Sequence, residues 1–276
     1  MRRPEWAPAD VDVDAASPAR VYDALLGGWH NFEVDRQAAR WGVEAVPDLP
    51  AAVQANRRFL REAVGYLAAN GVTQFIDIGA GIPTMENTHE VAQGINPECR
   101  VAYVDIDAVA VAHASSILVG NDRAIAVRGD VRTPHAVLGD PALTSFLDLS
   151  QPVAVLLVAV VHLLSDADDA PAAVAALREA VAPGSHLVIT SLTSSHREDA
   201  TRLTGVAQRD RIALIPRPRA WIEALFGDFA LVPPGLVQVA DWVAGAVPAG
   251  TPAPGESSDP GGHGAALILG AVGRKD

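Results

Sequence analysis

The sequence predicts an α/β fold built on a doubly wound, mostly parallel sheet. Two observations lead to this prediction. Between residues 74 and 191, short apolar segments alternate with amphipathic ones, and segment 153–161 is apolar at every position. An uninterrupted apolar strand is typical of a sheet covered on both faces, and regular alternation of strands and helices gives parallel strands with right-handed crossovers.

Composition limits the class of protein before any motif is considered. The chain has 276 residues, 49% of them hydrophobic, so it is long enough for one α/β domain or two small ones. Its net charge of −12 disfavours a protein that grips nucleic acid by its backbone. A single cysteine, Cys99, excludes an internal disulfide and fits a reducing compartment.

Neither a signal peptide nor a membrane span is predicted. Segment 4–14 lacks an apolar core, and the apolar run 153–161 is too short to cross a bilayer. We therefore expect a soluble, cytoplasmic protein with no membrane partner, and the sequence leaves its oligomeric state open.

Residues 1–70 are predicted to form an arm and a helical cap. Residues 1–16 are polar, acidic and proline-bearing, which favours a loose, flexible arm. In the cap, residues 17–70, one helix begins at Ser17 and Pro18 and stops at two glycines. A second helix spans 51–69, and no helix is assigned between these two.

The predicted core, residues 71–193, alternates strands with helices. The strands are 74–78, 100–107, 124–130, 153–161 and 186–191. The helices are 84–93, 108–119, 134–146 with a break at 139–141, and 171–181. Residues 17–276 are expected to form one domain.

The last region, residues 194–276, is predicted to supply a substrate-side insertion and the final strands. Its segments are helices 195–209 and 219–226, strand pieces 229–232 and 236–240, a loop 248–264 rich in Pro and Gly, and a final apolar strand 265–272. Two strands joined by such a loop can pair antiparallel, so we expect an antiparallel edge to the sheet.

A glycine turn at the end of the first strand predicts a nucleotide-type ligand site. Gly79 and Gly81 permit a sharp turn with no Cβ between ligand and backbone, and a helix from Thr84 would direct its free N–H groups at this turn. A dinucleotide fingerprint has Gly or Ala where Thr84 stands, which weakens a pyrophosphate assignment. Asp77 within the strand suits a ligand that presents an ammonium, such as S-adenosylmethionine.

Three successive strand ends are assigned to parts of this ligand. The turn 79–81 would pass beside the methionine and ribose, Asp105 would accept from the ribose hydroxyls, and Asp130 from the adenine amine beside the backbone of Val131. The alternatives are a simple tight turn for the glycines and capping or turn roles for the acids. We assign ribose to Asp105 and helix capping to Asp107.

Ordered motifs resemble those of class I S-adenosylmethionine-dependent methyltransferases. They are Asp77-Ile-Gly-Ala-Gly81, the acid ending strand two, Gly129-Asp130, Val161-His-Leu-Leu164 and Ala182-Pro-Gly-Ser185. Residues 19–28, Asn31-Phe32, Asp35-Arg36 and Asn56-Arg-Arg-Phe-Leu60 resemble, more narrowly, a bacterial methyltransferase family of largely unknown substrate.

The resemblance implies a seven-stranded Rossmann-like sheet of order 3-2-1-4-5-7-6, with an antiparallel last strand. It also implies that the cap closes over the cofactor, with Arg20, Tyr22 and Asn31 near its methionine end; the alternative is helix packing and loop hydrogen bonding. The predicted cofactor-binding residues are Arg20, Tyr22, Asn31, Asp77, Gly79, Ala80, Gly81, Asp105, Ile106, Asp130, Val131 and Val158.

The predicted reaction is methyl transfer to a small-molecule acceptor. Strand four lacks the Asn/Asp-Pro-Pro-Tyr/Phe motif of enzymes that methylate adenine or glutamine amino groups, and no Pro-Cys nucleophile follows it. His162 is the candidate general base, with packing as the alternative. The acids before Pro171 fit a helix N-terminus, so no metal site is predicted.

Two other functions remain compatible with the sequence. A binding protein that senses S-adenosylmethionine or S-adenosylhomocysteine would keep the pocket without turnover. A nicotinamide-dependent oxidoreductase would use the same fold.

Overall fold

Strand β1 (Gln74–Ile78) runs through the middle of the sheet, and all of its residues are buried. The computed structural model describes residues 8, 11–83, 86–246 and 267–276. In it, β1 pairs in parallel with β2 (Arg100–Asp105) on one side and β4 (Ala154–Val158) on the other. The carboxyl ends of these strands therefore meet at one edge of the sheet.

The other strands extend the sheet on both sides. They are β3 (Ala124–Arg128), β5 (His186–Leu192), β6 (Ala230–Leu231), β7 (Val237–Gln238) and β8 (Ile268–Arg274). The order is β3-β2-β1-β4-β5-β8-β6, and β8 runs antiparallel to β5 and to β6. The predicted fold class, strand order and antiparallel last strand are confirmed.

The edge beyond β8 differs from the seven-stranded prediction. Both β6 and β7 pair with β8, at opposite ends of it, so the described residues form eight strands. Pro233 and Pro234 lie between these two short strands. Proline has no backbone N–H for the ladder, which explains why the edge is in two pieces.

Helices cover both faces of the sheet. They are α1 (Pro18–Leu25), α2 (Glu33–Ala45), α3 (Leu49–Ala69), α4 (Thr88–Ile95), α5 (Ala108–Ile117), α6 (Pro134–Leu138), α7 (Pro141–Phe146), α8 (Ala170–Ala180), α9 (Arg197–Arg209) and α10 (Arg219–Ala224). Neighbouring β1 side chains belong to opposite layers: Phe75 lies in the core cluster that includes Phe59 of α3, whereas Ile76 lies in the one that includes Leu177 of α8. Alternation along β1 thus divides the core into two layers.

Helix α2 was not predicted. Its buried residues are Asp35 and three small ones, Ala38, Ala39 and Gly42, which give little apolar contrast in the sequence. It begins without a Ser or Thr cap: the backbone N–H of Phe32 donates to Asp35 Oδ2 at 2.8 Å instead.

The ends of two predicted elements differ from the structure at the sheet edge. β4 stops at Val158 because Ala159 adopts a left-handed φ of 60°, and a 3₁₀ turn follows at Val161–Leu163. The helix after the glycine turn begins at Thr88, with Asn87 as its cap. Its predicted start, Thr84, lies outside the described residues.

The predicted loose arm is partly wrong. Val11 and Val13 are buried against Phe32, Ile82 and Val109. These apolar side chains at alternate positions tie the arm to the turn after β1. Residues 1–7, 9 and 10 lie outside the described part of the chain, and so does the predicted loop 248–264.

Two other expectations concern membrane spans and cysteine. Within the described ranges, no helix combines the length and apolar character needed to cross a bilayer. Cys99 is buried and its thiol is free.

Candidate functional site

A cleft of about 280 Å³ lies at the carboxyl ends of β1 to β4, beneath α1 and α3. Ten of the twelve predicted cofactor-binding residues line it: Tyr22, Asp77, Gly79, Ala80, Gly81, Asp105, Ile106, Asp130, Val131 and Val158. Arg20 and Asn31 do not line it. The sheet topology therefore gathers residues that are up to 136 positions apart, from Tyr22 to Val158.

The two glycines of the turn have different roles. Both have left-handed φ angles, 71° at Gly79 and 67° at Gly81. A Cβ on Gly79 would lie 2.3 Å from Val160 Cγ2, whereas a Cβ on Gly81 would meet nothing within 4 Å. Gly79 is thus required for packing, and Gly81 leaves backbone open to a ligand.

Asp105 is held by backbone donors on both carboxylate oxygens. Oδ2 accepts from Gly81 N at 2.7 Å, and Oδ1 accepts from Asp107 N at 2.8 Å. Burial raises the pKa of Asp105 to about 6, although these two N–H groups oppose the rise. Each oxygen keeps a lone pair for a further donor.

Asp107 caps α5, as predicted. Its Oδ1 accepts from Val109 N at 2.8 Å. Its Oδ2 accepts from Ser17 Oγ and from Arg20 Nη1, the latter at 3.1 Å. The residue therefore joins the cap to the sheet edge as well as ending the loop after β2.

Asp77 links β1 to α4. Its Oδ2 accepts from Thr88 Oγ1 at 2.6 Å, and the residue is buried at the base of the cleft. Burial raises the pKa of this carboxyl, although the Thr88 hydrogen bond opposes the rise.

Asp130 is already paired on the rim of the cleft. The Arg132 Nε donates to Oδ2 at 2.8 Å and to Oδ1 at 3.0 Å. Burial raises the pKa of Asp130, but the hydrogen bonds and charge of Arg132 outweigh it, so the pKa lies below its usual value. Val131 and Ile106 add apolar surface here, and 51% of Ile106 is exposed.

Two polar residues of α3 line the cleft and were given no role from the sequence. Asn56 is fully buried; its Nδ2 donates to Tyr22 Oη at 2.9 Å, and its Oδ1 has no hydrogen-bond partner among the described residues. Arg57 beside it is half-buried. The sequence signal that could have identified them is an Asn-Arg pair on the otherwise apolar face of helix 51–69.

Arg20 lies behind the cleft and fastens the cap. Its Nε donates to Asp35 Oδ2 at 2.9 Å, with side-chain exposures of 5% and 0%, and it also reaches Asp107. Asn31 donates from Nδ2 to Asp23 Oδ2 at 2.7 Å. For both residues the structure shows the packing role that had been the alternative.

The predicted base role of His162 is not supported. Its Nδ1 accepts a hydrogen bond from Leu192 N at 3.1 Å, so in the neutral ring the proton is on Nε2. Burial, aided by the charge of Arg217, lowers the pKa of His162 to about 4. The ring therefore has no free lone pair to take a proton, although the residue lines the smaller cavity beside the cleft.

A second, smaller cavity adjoins the cleft. It has a volume of about 140 Å³, is bordered by α1, α2, α3 and α9, and is lined mainly by apolar side chains. Pro18, Tyr22, Ala159 and Leu163 line both spaces. No group of three or more potential metal ligands occurs among the residues that the structure describes.

Comparison with known proteins decides the family. A family model described as S-adenosyl methyltransferase matches residues 4–275. The chain belongs to the S-adenosyl methyltransferase family. This confirms the resemblance and the cofactor predicted from the sequence, S-adenosylmethionine.

Two solved structures resemble this S-adenosyl methyltransferase over nearly its full length. A proposed methyltransferase from Thermobifida fusca YX is 38% identical, with a TM-score of 0.89 over 99% of this chain and 100% of its own. A DUF574 family protein from Streptomyces avermitilis MA-4680 is 33% identical, with a TM-score of 0.86 over 96% and 100%.

A more distant structure shares the fold alone. An O-methyltransferase family protein from Burkholderia thailandensis is 12% identical, with a TM-score of 0.53 over 84% of this chain and 62% of its own. No curated protein matches the sequence.

Proposed function

We propose that this protein transfers the methyl group of S-adenosylmethionine to a small-molecule acceptor. One observation carries the proposal: a single cleft contains an open glycine backbone, a buried carboxylate on the next strand, and a buried amide oxygen without a partner among the described residues. These groups match the donors that a sulfonium nucleoside with an amino-acid tail presents.

The methionine tail would lie at α3 and β1. Asn56 Oδ1 is buried without a partner among the described residues, which is costly unless a ligand donor satisfies it. An ammonium can donate to this oxygen and to Asp77, and Arg57 supplies positive charge for the tail carboxylate. The residues therefore fit the group without rearrangement of the pairs described above.

The nucleoside would lie along the ends of β2 and β3. Asp105 keeps lone pairs for the ribose hydroxyls, and the Gly81 backbone stays open beside it. Ile106 and Val131 offer apolar surface to the adenine ring. Because Arg132 already occupies both oxygens of Asp130, an adenine amine would share that carboxylate with Arg132.

The chain contributes position rather than acid–base chemistry. When bound, S-adenosylmethionine supplies a reactive methyl group on a good leaving group. The residues of the cap and of the strand ends hold the reactants together and exclude water, which is where the rate enhancement of such a displacement originates. The cavity beside the cleft, at about 140 Å³, offers room for a small acceptor.

Calorimetric titration and a turnover assay test this proposal. We expect S-adenosylmethionine to bind with micromolar affinity and NAD(P) not to bind. Incubation with a metabolite extract should release S-adenosylhomocysteine, and omission of the extract should abolish its release. Binding without turnover in extracts that support other methyltransferases would identify a sensor, and binding of NAD(P) alone would identify an oxidoreductase.

A further inference from the structure

The cavity beside the cleft has the size and the walls of a site for one apolar group. Its volume is about 140 Å³, and its lining includes Val21, Leu25, Val53, Leu203 and Leu214. An engineered apolar cavity of about 150 Å³ admits benzene. A single ring, or an aliphatic group of that volume, therefore fits the apolar part.

This cavity and the cofactor cleft share part of their lining. Tyr22 of the cap and Ala159 after β4 line both spaces. Ala159 has a φ of 60°, a conformation that costs a non-glycine residue free energy, and its N–H donates to Thr190 Oγ1 at 2.8 Å. The two spaces therefore lie side by side at the carboxyl end of β4.

One carboxylate interrupts the apolar lining. Asp210, at the end of α9, is half-buried, and its Oδ2 is enclosed with no hydrogen-bond partner among the residues described. Burial raises the pKa of this carboxyl; the charge of Arg209 lowers it and that of Asp35 raises it again. The guanidinium of Arg209 lies over the Trp41 ring, 5.7 Å from its centroid.

An enclosed carboxylate oxygen without a partner favours a cationic ligand group. Leaving such an oxygen unpaired costs more than leaving a neutral acceptor unpaired, and an ammonium can both neutralise it and donate to it. The neighbouring charges of Arg209 and Asp35 act on this carboxyl in opposite directions, so the preference comes from the unpaired Oδ2 itself. A neutral donor would form the hydrogen bond but would not neutralise the charge of the carboxylate.

We propose that this cavity binds a small amine, with its ammonium on Asp210 and a single ring-sized apolar group against α1, α3 and α9. The inference rests on the proposed function, since the amine would be the class of molecule presented to the cofactor cleft. It concerns the binding of the amine and leaves the methylated atom unassigned.

Ligand-observed NMR titration of the full-length protein, saturated with S-adenosylhomocysteine, tests the proposal. The probes are benzylamine and benzyl alcohol, which share a ring and differ in charge. We expect benzylamine to bind at least tenfold more tightly at pH 7. Asp210→Asn should remove this preference, whereas Glu198→Gln, an exposed change on the same helix, should keep it.

A second variant tests the location independently of Asp210. Leu203→Trp should fill the apolar lining and weaken the binding of both probes at least tenfold, with the affinity for S-adenosylhomocysteine unchanged. Equal affinity for the two probes, or a preference that survives Asp210→Asn, would overturn the inference. Failure of S-adenosylhomocysteine to bind would instead refute the proposed function, so the two failures are distinguishable.

Discussion

The Asp105 carboxylate accepts a hydrogen bond from the backbone N–H of Gly81 across 2.7 Å. The acid that ends β2 is thereby fixed to the glycine turn that ends β1. Burial raises the pKa of Asp105 to about 6, close to the pH of ordinary assays. The protonation of one residue therefore affects two parts of the proposed nucleoside site together.

We expect the affinity for S-adenosylhomocysteine to fall as the pH drops from 7.5 to 5. The raised pKa means that Asp105 is protonated below pH about 6, and a protonated carboxyl accepts more weakly from ribose hydroxyls. The loss should be at most about tenfold for each pH unit below the pKa. Calorimetric titration at several pH values measures it.

Asp105→Asn is the control for this pH dependence. The variant should bind more weakly at pH 7.5 and lose the part of the dependence centred near pH 6. The pKa of Asp77 is also raised by burial, so the variant should keep a second pH dependence that belongs to Asp77. A wild-type affinity that stays constant from pH 7.5 to 5 would contradict the assignment of Asp105.

Arg57→Gln should weaken S-adenosylhomocysteine binding by about 1.5–3 kcal/mol, or roughly tenfold to a hundredfold, through loss of a charge-assisted contact with the tail carboxylate. The same change should leave 5′-methylthioadenosine binding unaltered, because that nucleoside lacks the amino-acid tail. Arg58→Gln, exposed on the same helix, is the matched control. Equal losses for both ligands would show that Arg57 acts through the fold.

The two glycines of the turn should respond differently to alanine. Gly79→Ala combines a left-handed φ with a contact of 2.3 Å to Val160, so we expect about 3 kcal/mol of destabilisation. Gly81→Ala meets open space and should lose about 1–2 kcal/mol from its backbone conformation.

Denaturant unfolding measures both changes, and calorimetry measures ligand binding. Gly81→Ala should weaken S-adenosylhomocysteine binding because its methyl group would enter the cleft. Unaltered affinity in that variant would mean that the ligand does not approach the turn.

His162→Leu should destabilise the protein by about 1–3 kcal/mol, because the buried Leu192 N–H loses its acceptor. His162→Asn can offer an amide oxygen in place of Nδ1, so it should be less harmful and keep turnover within about tenfold of wild type. Thermal unfolding and the extract assay test this pair. A drop of about 10²-fold in rate for His162→Asn, with stability unchanged, would restore the base role.

Arg20→Met should cost about 3–5 kcal/mol, since it leaves the buried Asp35 carboxylate without its charge partner. Arg40→Met is the control: Arg40 pairs with Glu33 at the surface, with side-chain exposures of 50% and 43%, and should contribute less than about 1 kcal/mol. Denaturant titration compares them. Similar losses in both variants would show that the Arg20 pair does not hold the cap.

The sheet and the cleft residues of the proposed nucleoside site were predictable because their signals are local. A glycine pair after an apolar strand marks the turn, and acids at strand ends meet at one edge in any parallel sheet. The residues Gly81, Asp105 and Asp130 accordingly lie together in the cleft. The strand order was predicted from the family resemblance, which was recognised from the motifs.

The roles of Arg20, Asn56 and His162 were not predictable because they depend on contacts between distant parts of the chain. The Arg20 guanidinium donates to Asp35 and Asp107, which lie 15 and 87 positions away, and the local sequence does not indicate these contacts. The face of α3 that carries Asn56 turns to the cleft only through tertiary packing. His162 was assigned from its place after a strand, but the Leu192 N–H occupies its acceptor nitrogen.

The position of β8 has a consequence for biosynthesis. Residues 268–274 pair with the full length of β5, so β5 presents an unpaired apolar border until they have been translated. A nascent chain that lacks these residues would expose β5 as an unpaired edge strand, which can pair wrongly with other chains. The native sheet therefore cannot be completed before residues 268–274 have been synthesised.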